Sequence, residues 1–415
     1  MAADEFPNLM EAQVQQQPYD VYRELRNRCP VYGMPSSGFH IVVSDQHARE
    51  VLRQPDLFLS GVNPMALADG GSVDQDIIDI YQNEGWLPLS SCSTTDLPRH
   101  RKVRGFLETL FTAKRVRHAT PMIDRVAAEL FDSFDARTDI AFVHEFAHPF
   151  PMVVIANLLG VPATDIAQFK IWSDAIVEPF SMMASRERRI ECARLVVDMQ
   201  HYFAAMIEER RKKPRDDFIS EALAYRDAAG EPFDMQELMT LITIDLLASG
   251  NETTTAAIGS GMKLLLEDSA GMEALAQNPA LVPVAIEEML RLESPVQGMF
   301  RECAHAATIG GVDFSKGDLL NIRFGSANRD EARYDNAERL NLQRKKPGSH
   351  LAFGIGRHVC VGAALARQEM ISAFSQLFQR YQSFELTAET PLPTYLPSFF
   401  GRNLDEIRLT LTARQ

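Results

Sequence analysis

Residues 353–362 read FGIGRHVCVG, and they are the most informative stretch of this 415-residue chain. The glycines at positions 354, 356 and 362 allow the backbone to turn tightly and to approach a flat ligand closely. Cys360 stands just before a segment with helical periodicity. The positive end of a helix dipole and unpaired backbone N–H groups favour a thiolate over a thiol at such a position. The stretch therefore predicts a cysteine that is presented as an anionic ligand.

The composition is that of an ordinary globular protein, with 46% hydrophobic and 24% charged residues. A formal net charge of −14 argues against nucleic-acid binding, which needs a clustered basic face. The five cysteines are scattered and form no C-x-x-C pair, which argues against a disulfide framework or a structural zinc site. Residues 1–17 are polar and acidic, unlike a signal peptide. We therefore expect a reduced cytoplasmic protein that does not bind membranes.

Helical periodicity dominates residues 97–268. The longest segment is 234–268, where Asp234 can cap the N-terminus, and an unbroken helix there would span roughly 50 Å. Its middle, residues 246–255, is mostly small or polar, which is unusual for a buried helix. Further helices are expected at 281–292 and 361–381, and β-like stretches at 39–43, 308–312, 319–324 and 407–411. We expect one mainly α-helical domain over residues 1–415, with a minor β region set to one side.

A lone cysteine is more often buried and inert than reactive. The residues around Cys360 therefore determine which interpretation of this cysteine is favoured. A dinucleotide-binding loop is disfavoured because Val359 occupies the place of the third glycine, and a metal cluster is disfavoured because Cys360 and His358 have no second pair of ligands nearby. The stretch resembles the haem loop of the cytochrome P450 family, F-x-x-G-x-[HR]-x-C-x-G, at every specified position.

This resemblance implies a mainly α fold with a long central helix over haem b. Cys360 would be the axial ligand of the haem iron. Phe353, Gly354 and Gly362 would form the loop around it. A thiolate ligand donates electron density that favours cleavage of the O–O bond.

Glu288-x-x-Arg291 is a second motif that matches the family. A spacing of three residues places the carboxylate and the guanidinium on one helix face, where they can pair. Such a pair alone is usually an exposed salt bridge of little energetic value. The resemblance makes it a structural lock beneath the haem, with Arg339 as the third partner.

Residues 96–104, DLPRHRKVR, form a third motif. His100 and Arg104 are four residues apart and share one helix face. The resemblance makes both of them ligands of the haem propionates, together with Arg301 and His358. Two buried carboxylates need compensating cations, which agrees with this assignment. A solvated basic helix face is the alternative, and it fits the neighbouring basic residues better than it fits His100.

Residues 248–254, ASGNETT, lie in the middle of the longest helical segment. They resemble the oxygen-activating stretch of the family. Glycine with threonine can open a helix locally and make room for O₂ and water. The resemblance makes Glu252 and Thr253 the pair that delivers protons. The implied reaction is R–H + O₂ + 2 e⁻ + 2 H⁺ → R–OH + H₂O.

Two other haem functions remain open: a peroxide-dependent or other non-monooxygenase enzyme, and a non-catalytic haem sensor. The retained pair of Glu252 and Thr253 argues against the first, which needs no proton relay. A hydrolase is disfavoured because no G-x-S-x-G motif occurs.

The sequence shows no flavin or iron–sulfur domain, so we expect electrons to come from separate proteins. The resemblance implies a ferredoxin and a ferredoxin reductase. We expect the chain to be a monomer. An acidic donor could dock on the cysteine side, near Arg344, Lys345, Lys346 and Arg357. Scattered solvated charge is an equally good interpretation of these four residues.

The predicted substrate pocket is mostly apolar, which suits a small hydrophobic or aromatic molecule that is hydroxylated or O-dealkylated. Its residues are Trp86, Leu89, Asp245, Ser249, Val296, Met299, Phe399 and Phe400. Asp245 departs from this lining and lies seven residues before Glu252, on about the same helix stripe. It could bind a hydroxyl or an amine of the substrate, or it could pair with an Arg or Lys of a neighbouring helix.

Overall fold

The structure is a computed structural model that describes residues 6–34, 37–62, 74–134, 137–181 and 184–414. The α-helices, in chain order, are α1 (Ala12–Gln16), α2 (Tyr19–Arg28), α3 (Asp45–Leu52), α4 (Gln75–Glu84), α5 (Arg99–Leu110), α6 (Ala113–Asp132), α7 (Pro149–Leu159), α8 (Ile166–Val177), α9 (Arg186–Lys212), α10 (Phe218–Ala224), α11 (Met235–Thr240), α12 (Ser249–Glu267), α13 (Ser269–Gln277), α14 (Val282–Leu292), α15 (Phe324–Ala327) and α16 (Ala363–Arg380). Two π-helical segments, Val143–Ala147 and Leu241–Ala248, accompany them.

The strands form three small sheets in the described part of the chain. Their bounds are β1 (Val31–Gly33), β2 (Phe39–Val42), β3 (Phe58–Leu59), β4 (Asp139–Ala141), β5 (Gly298–Cys303), β6 (Ala307–Ile309), β7 (Val312–Phe314), β8 (Leu319–Arg323), β9 (Tyr381–Leu386) and β10 (Arg408–Ala413). The five-stranded sheet has the order β1-β2-β8-β5-β3, and only β2 and β8 pair in parallel within it. The other two sheets are β4-β10-β9 and β6-β7. The expectation of a mainly α fold with a minor β region is confirmed.

The longest predicted helix is present but is not α-helical throughout. It begins at a capping box, in which the Asp234 side chain accepts from the backbone N–H of Glu237 and the Glu237 side chain accepts from that of Asp234. The π-helical segment Leu241–Ala248 then joins α11 to α12, and we call these three pieces the central helix. π-helical turns in longer helices are frequently found at functional sites.

Close packing explains why the central helix carries so many small residues. A Cβ atom added to Gly261 would lie 2.9 Å from Met289 Sδ, and one added to Gly259 would lie 3.7 Å from Val143. The first half of the helix packs in one large apolar cluster, with α5, α8 and α9. The second half packs in another, with α6, α14 and α16. The centre of the helix lies between the two clusters.

No helix in the described ranges is long and apolar enough to cross a membrane. All five cysteines are free, in agreement with the predicted absence of a disulfide framework.

Candidate active site

A cavity of about 320 Å³ lies beside the middle of the central helix. Its wall comes from the central helix, α5, β5, residues 91–94 and the loop 353–362. Cys360 lines this cavity, and its accessible surface faces the cavity inside the protein. Its side chain is therefore accessible to a ligand inside the cavity.

The loop that carries Cys360 is held by its own backbone. Cys360 N–H donates to the carbonyl of Phe353 at 2.8 Å. Gly356 has a φ of +74°, and a Cβ atom there would lie 2.9 Å from the carbonyl oxygen of Leu52. Only glycine therefore fits this turn without strain. Gly354 also has a positive φ, of +64°.

The Cys360 sulfur faces the first backbone groups of α16. Burial raises the pKa of the Cys360 thiol, while the N–H groups of Gly362 and Ala363 and the charges of Arg104 and Arg367 act in the opposite direction. These groups favour a thiolate, and a thiolate in this position can act as a ligand of a metal cation such as iron.

Four basic side chains border the same cavity: His100, Arg104, Arg301 and His358. The rings of His100 and His358 lie 4.4 Å apart between centroids. Burial, followed by the charges of Arg301 and His100, lowers the pKa of His358 to about 3. Burial likewise lowers the pKa of Arg301 to about 10.

These basic groups fit an anionic ligand. His100 Nε2 and both ring nitrogens of His358 are buried and have no hydrogen-bond partner within the described residues. Buried donors and cations without partners are costly, and two carboxylates would satisfy them. The propionates of haem b would be such a pair, and Cys360 in the same cavity would supply the ligand for its iron.

Glu252 and Thr253 both line the cavity, but they are held differently. Thr253 Oγ1 donates to the carbonyl of Ser249 at 3.0 Å, so this hydroxyl takes up a carbonyl at the junction of the π- and α-helical segments. The Glu252 carboxylate accepts from Asn251 Nδ2 at 3.1 Å and from Ser173 Oγ at 3.4 Å. Burial raises the pKa of Glu252 above its ordinary value.

A line of polar groups connects Glu252 to the surface. His148 Nε2 lies 3.9 Å from Glu252 Oε1 and 3.3 Å from Asp174 Oδ1. Lys170 Nζ lies 3.0 Å from both His148 Nε2 and Asp174 Oδ2. His148 is buried, whereas the side chains of Lys170 and Asp174 are about two-fifths exposed. Sequence reasoning missed this arrangement because three separate helices bring the groups together.

Glu369 is a further buried carboxyl group on the cavity wall. Sequence reasoning missed this residue. Burial raises its pKa well above the ordinary value, and a hydrogen bond with Thr254 acts in the opposite direction. A signal was present, because Glu369 lies in an apolar stripe of α16 with Leu365, Ala373 and Leu377 at helical spacing.

The Glu288–Arg291 pair is fully buried, and the expectation for Arg339 has to be corrected. Arg291 Nε lies 2.7 Å from Glu288 Oε1, and neither side chain is exposed. The third side chain is that of Arg344, whose Nε donates to Glu288 Oε1 at 2.6 Å. Arg339 contributes its backbone carbonyl, which accepts from Arg291 NH2 at 3.1 Å. The residues 339–344 fold back over α14, so the arginine nearer in sequence is not the one whose side chain reaches Glu288.

Five of the predicted substrate contacts border the cavity: Asp245, Ser249, Val296, Met299 and Phe400. The other three do not, and each is held elsewhere. Trp86 is fixed to α9, where its backbone N–H donates to Gln200 Oε1 at 2.9 Å. Leu89 N–H donates to Thr240 Oγ1 at 2.9 Å. Phe399 is buried against Phe39 and Phe300 on the sheet, because its side chain points to the other side of the backbone from that of Phe400.

The predicted basic patch is smaller than the sequence indicates. The Arg344 side chain is mostly buried at Glu288. Arg357 NH2 pairs with Asp56 Oδ1 at 2.7 Å. Lys345 and Lys346 are exposed.

Comparisons with known proteins identify a family to which this chain is similar. The profile of one family, described as cytochrome P450, matches residues 5–410. Cytochrome P450 107B1 of Saccharopolyspora erythraea is 36% identical over 364 residues, which are 86% of this chain and 87% of that protein. The structure of cytochrome P450 CYP109Q5 from Chondromyces apiculatus has a TM-score of 0.85 and 31% identity, with 98% of each chain covered. The structure of CYP109E1 from Bacillus megaterium in complex with testosterone has a TM-score of 0.81 and 31% identity, over 95% of this chain and 99% of that chain.

Proposed function

The chain belongs to the cytochrome P450 family, which comprises haem b-binding monooxygenases, and from this premise we propose which reaction it performs. It inserts one oxygen atom of O₂ into a small hydrophobic or aromatic substrate, by hydroxylation or O-dealkylation. The observation that carries this proposal is the cavity in which Cys360, the basic groups around His100 and His358, Glu252 and Thr253 all meet. The testosterone-bound relative supports an apolar substrate.

Haem b, when bound, supplies an iron centre that activates O₂ and transfers one oxygen atom to the substrate. The residues of this chain hold and orient it. Cys360 would hold the iron of the haem, within the loop that includes Phe353, Gly354 and Gly362. His100, Arg104, Arg301 and His358 bind the propionates.

The protons for the second oxygen atom come from the acid–alcohol pair. Glu252 can hold a proton because burial raises its pKa. His148 lies between Glu252 and the exposed Asp174 and Lys170, and so provides a route by which Glu252 is reprotonated from solvent. Thr253, one residue along the helix, donates a hydrogen bond into the cavity when its hydroxyl leaves the Ser249 carbonyl.

The electrons come from a ferredoxin and its reductase. Exposed Lys345 and Lys346 provide a positive surface near the Cys360 loop for an acidic ferredoxin. The protein acts as a cytoplasmic monomer, with residues 1–415 as one domain.

A carbon monoxide spectrum of the dithionite-reduced, haem-loaded protein tests the proposal. We expect a strongly red-shifted Soret band, because this band is the signature of thiolate ligation of haem iron. Cys360→Ser removes the thiolate and should remove the shifted band, whereas the buried, remote Cys303→Ser should keep it. A wild-type spectrum without the shift, in folded and haem-loaded protein, contradicts thiolate ligation.

The electron source separates the monooxygenase from the other haem functions. Substrate oxidation should require O₂, ferredoxin and reductase together. Efficient oxidation with hydrogen peroxide alone would instead identify a peroxide-dependent enzyme. Absence of turnover across a broad apolar panel, with an intact thiolate spectrum, would favour a sensor.

A further inference from the structure

Asp245 is a carboxyl group on a cavity wall that is otherwise mostly apolar. It lies in the π-helical segment, beside the buried Leu246 and Leu247. Its Oδ1 accepts a hydrogen bond from the backbone N–H of Cys92 at 2.7 Å. Its Oδ2 is buried and accepts no hydrogen bond from the described residues. One oxygen of the carboxyl group is therefore fixed in place, and the other is left without a donor.

No described Arg, Lys or His forms an ion pair with Asp245. The alternative expected from the sequence, a pair with a basic residue of a neighbouring helix, is therefore not found there. Arg99 acts on Asp245 only over a distance, and its NH1 group donates to the carbonyl of Ser90.

A buried carboxylate without a cation is unfavourable, because burial penalises the charged form. Burial accordingly raises the pKa of Asp245 to about 7, while the Cys92 N–H and the Arg99 charge act in the opposite direction. A neutral hydroxyl would satisfy Oδ2 as an acceptor but would leave the negative charge uncompensated. A protonated amine satisfies both requirements at once.

We infer that the cavity takes substrates with a basic amine on an otherwise apolar skeleton, and that the ammonium group donates to Asp245 Oδ2. This inference rests on the proposed function, because it takes the cavity that holds Cys360 to be the substrate cavity. The anchored amine fixes one end of the substrate at Asp245, while Val296, Met299 and Phe400 contact its apolar remainder. Asp245 thereby selects both the substrate and the position that is oxidised.

The test compares two probes that differ in a single atom. Dimethyl(phenylbutyl)amine is a tertiary amine that is protonated at neutral pH, and its isostere carries CH in place of nitrogen. Their dissociation constants are measured by calorimetry on the holoenzyme. We expect the amine to bind the wild-type protein at least about tenfold more tightly, as for one charge-assisted hydrogen bond. Asp245→Asn should remove this preference and leave the affinity for the isostere unchanged.

Ser249→Ala is the matched control, because Ser249 lines the same cavity one helical turn further along. It should keep the preference for the amine. The affinity for the amine should also rise between about pH 6 and pH 8 as Asp245 loses its proton, and this rise should be absent in Asp245→Asn. The thiol that faces Asp245 does not interfere, because burial raises the pKa of Cys92 to about 12.

Equal binding of the two probes by the wild-type protein overturns the inference without any variant. Tighter binding of the corresponding alcohol than of the amine, lost in Asp245→Asn, would overturn the amine in favour of a neutral donor. The carbon monoxide spectrum of the same preparation reports separately on thiolate ligation, so a failure there is distinguishable from a failure of amine recognition.

Discussion

At the scale of a single residue, Glu252 combines two properties that a proton donor needs. It borders the cavity, and it is connected through His148 to groups that reach solvent. Since burial raises its pKa, Glu252 keeps its proton at pH values where an exposed carboxyl group has lost it.

We predict that Glu252→Gln lowers the turnover number about 100-fold, within the range for general acid catalysis. The dissociation constant of the substrate should change little, because Glu252 hydrogen-bonds to Asn251 and Ser173 rather than to an apolar ligand. Steady-state kinetics and a binding titration separate the two effects.

The pH dependence of turnover provides a second test of Glu252 as the proton donor. Turnover by the wild-type enzyme should fall as the pH rises through the raised pKa of Glu252, because the acid form is required. The Glu252→Gln variant should lack this limb. A variant that turns over within twofold of the wild type, with the same pH profile, would exclude Glu252 as the proton donor.

At the scale of the elements, the buried lock joins α14 to the irregular chain that leads to Cys360. Glu288 has two cationic partners, Arg291 from its own helix and Arg344 from that chain. Removal of one partner of a buried charge costs far more than removal of an exposed one.

We predict that Arg344→Ala lowers the free energy of unfolding by about 1–3 kcal/mol, the cost of an unmade hydrogen bond to a buried charge. Arg339→Ala is the matched control and should change it by less than about 0.5 kcal/mol, since the lock uses only the Arg339 carbonyl. Urea unfolding and haem retention measure both variants. The opposite order, with Arg339→Ala the more damaging, would restore the assignment made from sequence.

These elements also show what the sequence could predict. Local patterns are sufficient for the Cys360 loop, for the helix cap at Asp234 and for the Glu288–Arg291 pair, since each depends on residues close together in the chain. The choice between Arg339 and Arg344 depended on how an irregular segment folds back, which no periodicity encodes. The resemblance to the family places Trp86, Leu89 and Phe399 in the pocket, but contacts with neighbouring elements determine where these residues pack.

At the scale of the whole molecule, Glu287 connects three parts of the fold that surround the Cys360 loop. It extends from α14 and lies 3.1 Å from His350 Nε2 and 3.0 Å from Arg367 NH2 on α16. The guanidinium of Arg367 in turn lies 4.4 Å from the ring centroid of Phe353. Burial would raise the pKa of Glu287, but hydrogen bonds from His350 and Arg367 outweigh it and lower the pKa to about 2.

We predict that acid weakens the protein partly through Glu287. A depressed pKa contributes stability that is present above the unfolded value near 4.5 and is lost as the pH falls toward 2. Glu287→Gln should therefore lose up to about 3 kcal/mol at pH 7. The difference from the wild type should shrink as the pH falls through this window, as measured by urea unfolding at a series of pH values. A difference that stays constant with pH would show that the loss comes from packing and not from charge.

The parallel pairing of β2 with β8 has a consequence for the order in which the protein forms during synthesis. Phe39 of β2 aligns with Leu319 of β8 in this pair. Strand β2 therefore cannot form this pairing until most of the chain has left the ribosome. The cavity wall runs from Leu52 to Phe400, and Cys360 comes late in that range. The nascent helices must therefore stay unaggregated with an unfinished core until the last quarter of translation, and the cavity is complete only after Phe400 has been synthesised.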